Sequence, residues 1–320
     1  MNIVVKFYLW YNLLKNSKVV CMRWEDRDQS DNVEDRRNSG NTGGNFSGGG
    51  RGMPSMGTIM FLWPLLKPLL KTKFGWAIIG IGAVAYFSGF NPLSSLTGGG
   101  SPSVVNQKAD DKQARFISTV LHDTEEVWKT IYKEHGSRYK EPKMVLYRGS
   151  TTSGCGHASA QMGPFYCPAD EKVYIDLGFF DELAQTHNAS GDFAQAYVLA
   201  HEIGHHIQNM EGTLNKVQKM KQQVRGEKDA NQLQVRVELQ ADCYAGVWAN
   251  HAHKRFNILE QGDVEEALRA ASAIGDDTLQ KKAQGYVVPD AFTHGSSEQR
   301  VAWFRKGLKS GDVKSCNTGI

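Results

Sequence analysis

Two imidazoles and a carboxylate stand together in His201-Glu202-Ile203-Gly204-His205. On a helix, positions i and i+4 share a face, so both rings can bind one ion. Glu202 lies one residue round, close enough to reach a water on that ion without ligating it. Zinc lowers the pKa of a bound water to about 7, and a carboxylate in this place can take its proton as the water attacks a carbonyl. Gly204 is informative as well. Glycine inside a helix costs about 1 kcal/mol relative to alanine, so another group is expected to pass close to the backbone there. In a chain with 10 His and 34 acidic residues, a chance match to this pattern has a probability on the order of 1%. More residues are needed to make a site.

A catalytic zinc needs three protein ligands, an open fourth position and partners that orient the ligands. Val237-Glu238-Leu239-Gln240-Ala241-Asp242 again places two carboxylates at i and i+4. Glu238 can complete a His-His-Glu set, and Asp242 can accept a hydrogen bond from the far nitrogen of a ligand histidine. The small residues from Ala241 to Gly246 favour close helix contact. His206 is on a different helix face from His201 and His205, and His251 and His253 lie too far along to share the ion.

Here the sequence resembles the bacterial family of putative neutral zinc metallopeptidases (YpfJ-type). The stretches that carry the resemblance are HEIGHH, VELQADCYAGVWA, MRWEDRDQSDNVEDRR near the start and SGCGHASAQMGPFYCPADEKVYIDLGFF. It runs from Met22 almost to the C-terminus. It implies a gluzincin-like zinc site with Zn2+ as cofactor, His201, His205 and Glu238 as ligands, Glu202 as base, and a protein or peptide substrate. A second comparison is with zinc peptidases that process prenylated proteins and their bacterial heat-shock relatives, which have a His followed six positions on by Arg. Here these are His294 and Arg300, with Gly295 where proline is common. It implies His294 as oxyanion stabiliser and Arg300 as anchor of Asp242 or of the substrate; the plain alternative is a helix start capped by Ser296 or Ser297. Zincin folds commonly pair an extended substrate with the strand before the active-site helix, which makes Lys172 to Leu177 the candidate, unless it is a core strand.

The positioning elements follow from periodicity. Phe116, Val120, Val127 and Ile131 recur on one side of a helix over Arg115–His135; Lys143–Arg148 and Lys172–Leu177 alternate as strands; Phe193–Met210, Gln232–His253 and Asp263–Ile274 read as helices. The expected fold is α+β, a zincin-like domain over 110–320, mainly helical with a small sheet. Ahead of it, residues 1–73 are expected to be a disordered, basic and Gly-rich tail, with 1–21 upstream of a true start at Met22. Phe74–Phe90 holds no charge; as a helix its 17 residues reach about 25 Å, near the short limit for spanning ~30 Å of hydrocarbon. Residues 91–109 then form a linker. Lys67, Lys71 and Lys73 on one flank place the N-terminus in the cytoplasm, giving a single-pass bacterial inner-membrane protein with a periplasmic catalytic domain.

Of five cysteines, Cys155, Cys167, Cys243 and Cys316 follow that segment. An even number in an oxidising compartment suggests disulfides; four cysteines allow three pairings, and Cys155–Cys167 with Cys243–Cys316 is preferred from the proximity of the first pair. Cys155 and Cys167 as zinc ligands would lack the short C-x-x-C spacing. Hydrophobic content of 40%, charged content of 22% and a net charge of +3 permit a sizeable core. With no aromatic-studded basic face, nucleic acid is not an expected partner. The expected activity is peptide-bond hydrolysis. A non-catalytic zinc scaffold and a hydrolase of non-peptide amides are the rivals.

Overall fold

The structure is a computed structural model that describes residues 22–37, 107–159, 162–187 and 191–320. Its first element is a surprise of chain topology. Val33–Asp35 forms strand β1, parallel to β2 (Lys143–Tyr147), with Val33 opposite Met144. The sheet order is β1-β2-β6-β5. Strand β6 (Lys172–Asp176) runs parallel to β2 and antiparallel to β5 (Phe165–Cys167). The polar strands β3 (Ser150–Ser153) and β4 (Gly156–Ser159) make a separate antiparallel pair.

Residues 22–37 were expected to be disordered, and this is corrected: the segment packs into the domain. Met22 and Trp24 are buried. The Trp24 ring meets Phe116 edge-on at 5.3 Å and its indole N–H donates to Asp192 at 3.2 Å. The four arginines that make the segment look solvated are all paired: Arg27 with Asp123, Arg23 with Glu260, Arg36 with Glu34, and Arg37 with Asp35, Asp110 and Asp111. A polar composition excludes a core only when its charges must stay in water.

Helix α1 (Gln107–Glu134) backs the sheet and buries Phe116, Val120, Val127 and Ile131 together with Ile117, Leu121 and Trp128. Strand β6 leads directly into α2 (Leu177–His187). Then come α3 (Asp192–Met210), α4 (Thr213–Gln223), α5 (Glu227–Phe256), α6 (Asp263–Ala273), α7 (Asp276–Gln284) and α8 (Ser297–Ser310). A capping box starts α8, with Ser296 rather than Ser297 as cap and Gln299 answering it. Where α5 and α8 cross, a Cβ on Gly246 would collide with the Phe304 carbonyl and one on Gly307 with the Cys243 carbonyl. Glycine on both sides is what lets these backbones meet. Cys243–Cys316 fastens the C-terminal turn to α5, and Cys155–Cys167 ties the β3–β4 pair to β5. Both bonds suit an oxidising compartment such as the periplasm.

The fold is mainly helical with small sheets. The expected transmembrane helix and single-pass inner-membrane location are corrected: among the described residues no helix is long and apolar enough to cross a membrane. The segment 74–90, the remaining tail 1–21 and 38–73 and the linker up to 106 lie outside the described residues.

Two outcomes are expected. Trp24→Ala should lower the unfolding free energy by about 3 kcal/mol in a denaturant titration, since it empties a core site and removes a donor from the half-buried Asp192. Burial, then the neighbouring carboxylates, push fully buried Asp263 up to about 6. A carboxyl whose folded-state pKa is raised favours folding while protonated and loses that contribution as pH rises from its unfolded value, near 4, through 6. Asp263→Asn should therefore gain stability relative to wild type as pH climbs from 4 to 7. Parallel curves for the two proteins would count against this.

Candidate metal centre

Helical spacing puts Tyr197, His201, His205 and Gln208 on successive turns of α3, and Gln234, Glu238 and Asp242 on successive turns of α5. The two helices lie close enough to interdigitate because of Gly204, where an added Cβ would lie 3.0 Å from both the Cα and the carbonyl oxygen of Ala241. The close approach expected from a mid-helix glycine is thus the backbone that carries Glu238 and Asp242.

His201 Nε2 lies 3.2 Å and His205 Nε2 3.4 Å from the same oxygen, Glu238 Oε2. The opposite ring nitrogens are engaged elsewhere: His201 Nδ1 with Asp242 Oδ1 at 2.8 Å, His205 Nδ1 with Gln208 Oε1 at 2.9 Å. Both acceptors require an N–H at Nδ1, which turns the two Nε2 lone pairs toward Glu238. Gln234 Nε2 donates to the other Glu238 oxygen at 2.7 Å. Ligand atoms of His201, His205 and Glu238 all lie within 4.8 Å of one another. Three lone-pair donors facing one point repel unless a cation stands there, and two imidazoles with one carboxylate are a donor set that suits zinc.

The electrostatics carry the same demand. Burial alone would lower His201, yet Asp242 and Glu238 overcome it and raise the ring to about 9. Burial would raise Glu238, and the two imidazoles instead hold it well below the ordinary carboxylate range. The cluster is built for positive charge.

Asp242 is fully buried. Besides His201, it accepts from the Tyr197 hydroxyl at 2.5 Å and from Arg300 Nε and Nη2, each at 2.9 Å. Arg300 itself is buried and also donates to the Tyr197 hydroxyl and the Ile274 carbonyl. Against the burial that would raise it, Arg300 and His201 keep Asp242 at about 2.

His294 stands at the mouth of the site, half-exposed. Asp276 Oδ2 accepts the backbone N–H groups of Thr293, His294 and Gly295 at 2.7, 2.6 and 3.1 Å, while its Oδ1 lies 3.1 Å from His294 Nδ1. Gly295 has φ +91°, a left-handed conformation open to glycine and not to proline. His201, Glu202, His205, Glu238, His294 and Arg300 all line one cleft of about 700 Å³.

The chain matches the family described as "Putative neutral zinc metallopeptidase" over residues 22–319. It belongs to this family. It is 46% identical over 303 residues to "Uncharacterized protein YpfJ" of Escherichia coli K12, covering 93% of this chain and 98% of that protein. It is 41% identical over 216 residues to "Uncharacterized protein Rv2575" of Mycobacterium tuberculosis, covering 64% and 70%. No solved structure matches. Membership implies Zn2+ as the cofactor, which the converging His201, His205 and Glu238 can hold.

The expectation for Lys172–Leu177 needs correcting. Strand β6 is paired with β2 on one side and β5 on the other, so it cannot receive a peptide; β5 is the edge. His206 is buried between the Tyr166 hydroxyl and the Lys140 carbonyl, away from the cluster, and burial lowers its pKa. Tyr197, Gln208 and Gln234 went unnoticed. Gln208 and Gln234 stand three and four residues from the groups they orient, His205 and Glu238, so helical spacing offered a signal for both; Tyr197 orients Asp242, 45 positions away, and had none. Asp276 had no such signal, being 18 positions from His294.

Asp242→Asn should weaken zinc binding roughly 10- to 100-fold in competition with a chromophoric chelator, by replacing the anionic acceptor of the His201 Nδ1–H with a neutral amide that can present either its oxygen or its NH2. Unchanged affinity would mean His201 is oriented without it.

Proposed function

We propose that this protein is a zinc-dependent endopeptidase in which Glu202 is the general base, His294 the oxyanion donor and Arg300 a positioning residue acting through Asp242. One observation carries the reading. The two Nε2 atoms and Glu238 Oε2 converge at the wall of an open cleft, beside a Glu202 carboxylate that makes no hydrogen bond to any described residue. An inert structural zinc is normally closed by four protein ligands; among the described residues only three converge here.

Zinc, when bound, supplies a Lewis acid that polarises the scissile carbonyl and acidifies water. The rest belongs to the chain. Glu202, one residue round from the ligand histidines and lining the same cleft, accepts the proton of the attacking water and delivers it to the departing amine nitrogen. His294 gives its Nδ1–H to Asp276, whose carboxylate raises the ring's pKa; as the imidazolium it donates from Nε2 to the oxygen that gains charge as the carbonyl becomes tetrahedral. Arg300 neutralises Asp242 and keeps it ionised, so that Asp242 holds His201 in the ligating tautomer. Phe165 and Tyr166 of edge strand β5 line the same cleft, which suits an extended peptide adding to that edge.

Glu202→Gln in the purified full-length chain should retain one zinc per chain by metal analysis and lose at least about 100-fold in cleavage of a proteome-derived peptide library. Equal cleavage by both proteins would sink the role given to Glu202. Zinc binding without cleavage by wild type would favour a scaffold, and cleavage confined to non-peptide amides would favour the other rival.

A further inference from the structure

Beside the metal cluster, the cleft has an asymmetric pocket whose composition points to a preferred substrate group. Its inner wall is apolar: Leu214 and Val217 from α4 and Val237 from α5. Val217 and Val237 are buried and belong to one small core cluster with Leu233. Its polar lining consists of Gln218, Lys221 and Gln234. Lys221 is a cation without a counter-ion: among the described residues no carboxylate lies within ion-pair distance of its ammonium. Among the described residues its hydrogen-bond partner is the neutral oxygen Gln234 Oε1. Burial lowers its pKa, and the Glu238 carboxylate beyond Gln234 offsets this only in part, as for an ammonium that has given up water without a carboxylate in direct contact.

The placement ties this cation to the reacting centre. Gln234 accepts from Lys221 with its oxygen and donates from its nitrogen to Glu238 at 2.7 Å. A single amide side chain thus separates the ammonium from a metal-binding carboxylate. A residue rises about 3.3–3.6 Å along an extended chain, so the ammonium is within reach of the substrate residues next to the scissile bond. The exposed amide of Gln218 makes no hydrogen bond to a described residue and adds a neutral donor to the same lining.

We propose that the Leu214–Val217–Val237 pocket with Lys221 in its lining is a subsite that selects a carboxylate on the substrate, either a glutamate side chain or a free chain terminus, beside the scissile bond. The apolar wall takes the methylene stem. Lys221 takes the charge, supplying the ion pair that the chain itself leaves unmade. A basic substrate side chain in the same place would meet like charge and is rejected. The inference rests on the peptidase reading above, because the subsite is defined by its distance from the metal cluster.

The test uses the zinc-loaded full-length chain and uncleavable probes, so that it does not depend on turnover. Four short peptides carry an N-terminal hydroxamate to seat them on the metal. Three are amidated at the C-terminus and differ only in Glu, Gln or Lys at the first position; the fourth has Ala there and a free C-terminal carboxylate. Dissociation constants are measured by calorimetry for wild type, Lys221→Arg, Lys221→Met and Lys221→Glu. Wild type is expected to favour a carboxylate probe over the Gln probe by about tenfold, with the Glu or the Ala peptide identifying the source of the carboxylate. Arginine should keep that preference, methionine erase it, and glutamate invert it toward the Lys probe. Equal binding of the Glu, Gln and free-carboxylate probes by wild type would overturn the subsite while leaving the metal site standing. So would a loss in Lys221→Met shared equally by all four probes, which would mark Lys221 as a support for Glu238 alone. Failure of every probe to bind would overturn both the subsite and the metal site it is built beside.

Discussion

Everything near the cleft depends on one buried anion. Asp242 receives four donors on two oxygens, from His201, Tyr197 and twice from Arg300. A carboxylate with no exposure to water is strongly unfavourable unless its charge is matched and its lone pairs are used. That requirement registers three helices against one another, because α3 supplies His201 and Tyr197, α5 the carboxylate and α8 the guanidinium. The glycines at 204, 246 and 307 make the approach sterically possible, and Asp242 makes one relative sliding of the helices better than the others. Replacing a single partner would strand the remaining charges in a dry environment, so the group behaves as a unit.

Around that anchor the charge is arranged in layers. The innermost pair, Arg300 and Asp242, cancels itself. The next layer, with two imidazoles against Glu238, is left in need of positive charge, which a dication meets. The outer layer faces the cleft and holds Glu202, with no hydrogen bond to a described residue, and Lys221, whose hydrogen-bond partner among them is the neutral Gln234. Interior groups are satisfied and therefore fixed, whereas those at the surface of the site keep their capacity for substrate. Such preorganisation costs little at the moment of reaction, since the orienting bonds exist before substrate arrives.

Much of this centre was legible in the chain because helical periodicity is a local property. His201 with His205, and Glu238 with Asp242, stand at spacings that a single turn converts into a shared face, and Gly204 signalled the neighbouring backbone. Legibility ended where partners come from distant segments. Asp276, the first residue of α7, meets His294 just ahead of α8, and nothing in its surroundings announces this. Strand β6 alternates as any half-buried strand does, and only its pairing on both sides makes it central. Charge-rich residues 22–37 read as solvated because their partners, Asp123, Asp110 and Glu260, lie up to 237 positions away. The apolar stretch at 74–90 showed a different limit: hydropathy suggested a membrane span, and no described helix has the length and apolar character to provide one.

The position of β1 has a practical corollary. Its residues precede α1 by some seventy positions, yet they cover the outer edge of β2, a strand that is buried along Met144–Tyr147. A recombinant fragment starting at residue 110, the domain boundary expected from the sequence, would leave that edge bare, with unpaired backbone N–H and C=O groups beside an apolar face. Bare edges of this kind recruit strands from other molecules. Such a fragment would precipitate or form sheet-linked oligomers even with every metal ligand in place, and its inactivity would be a fault of truncation, not of chemistry.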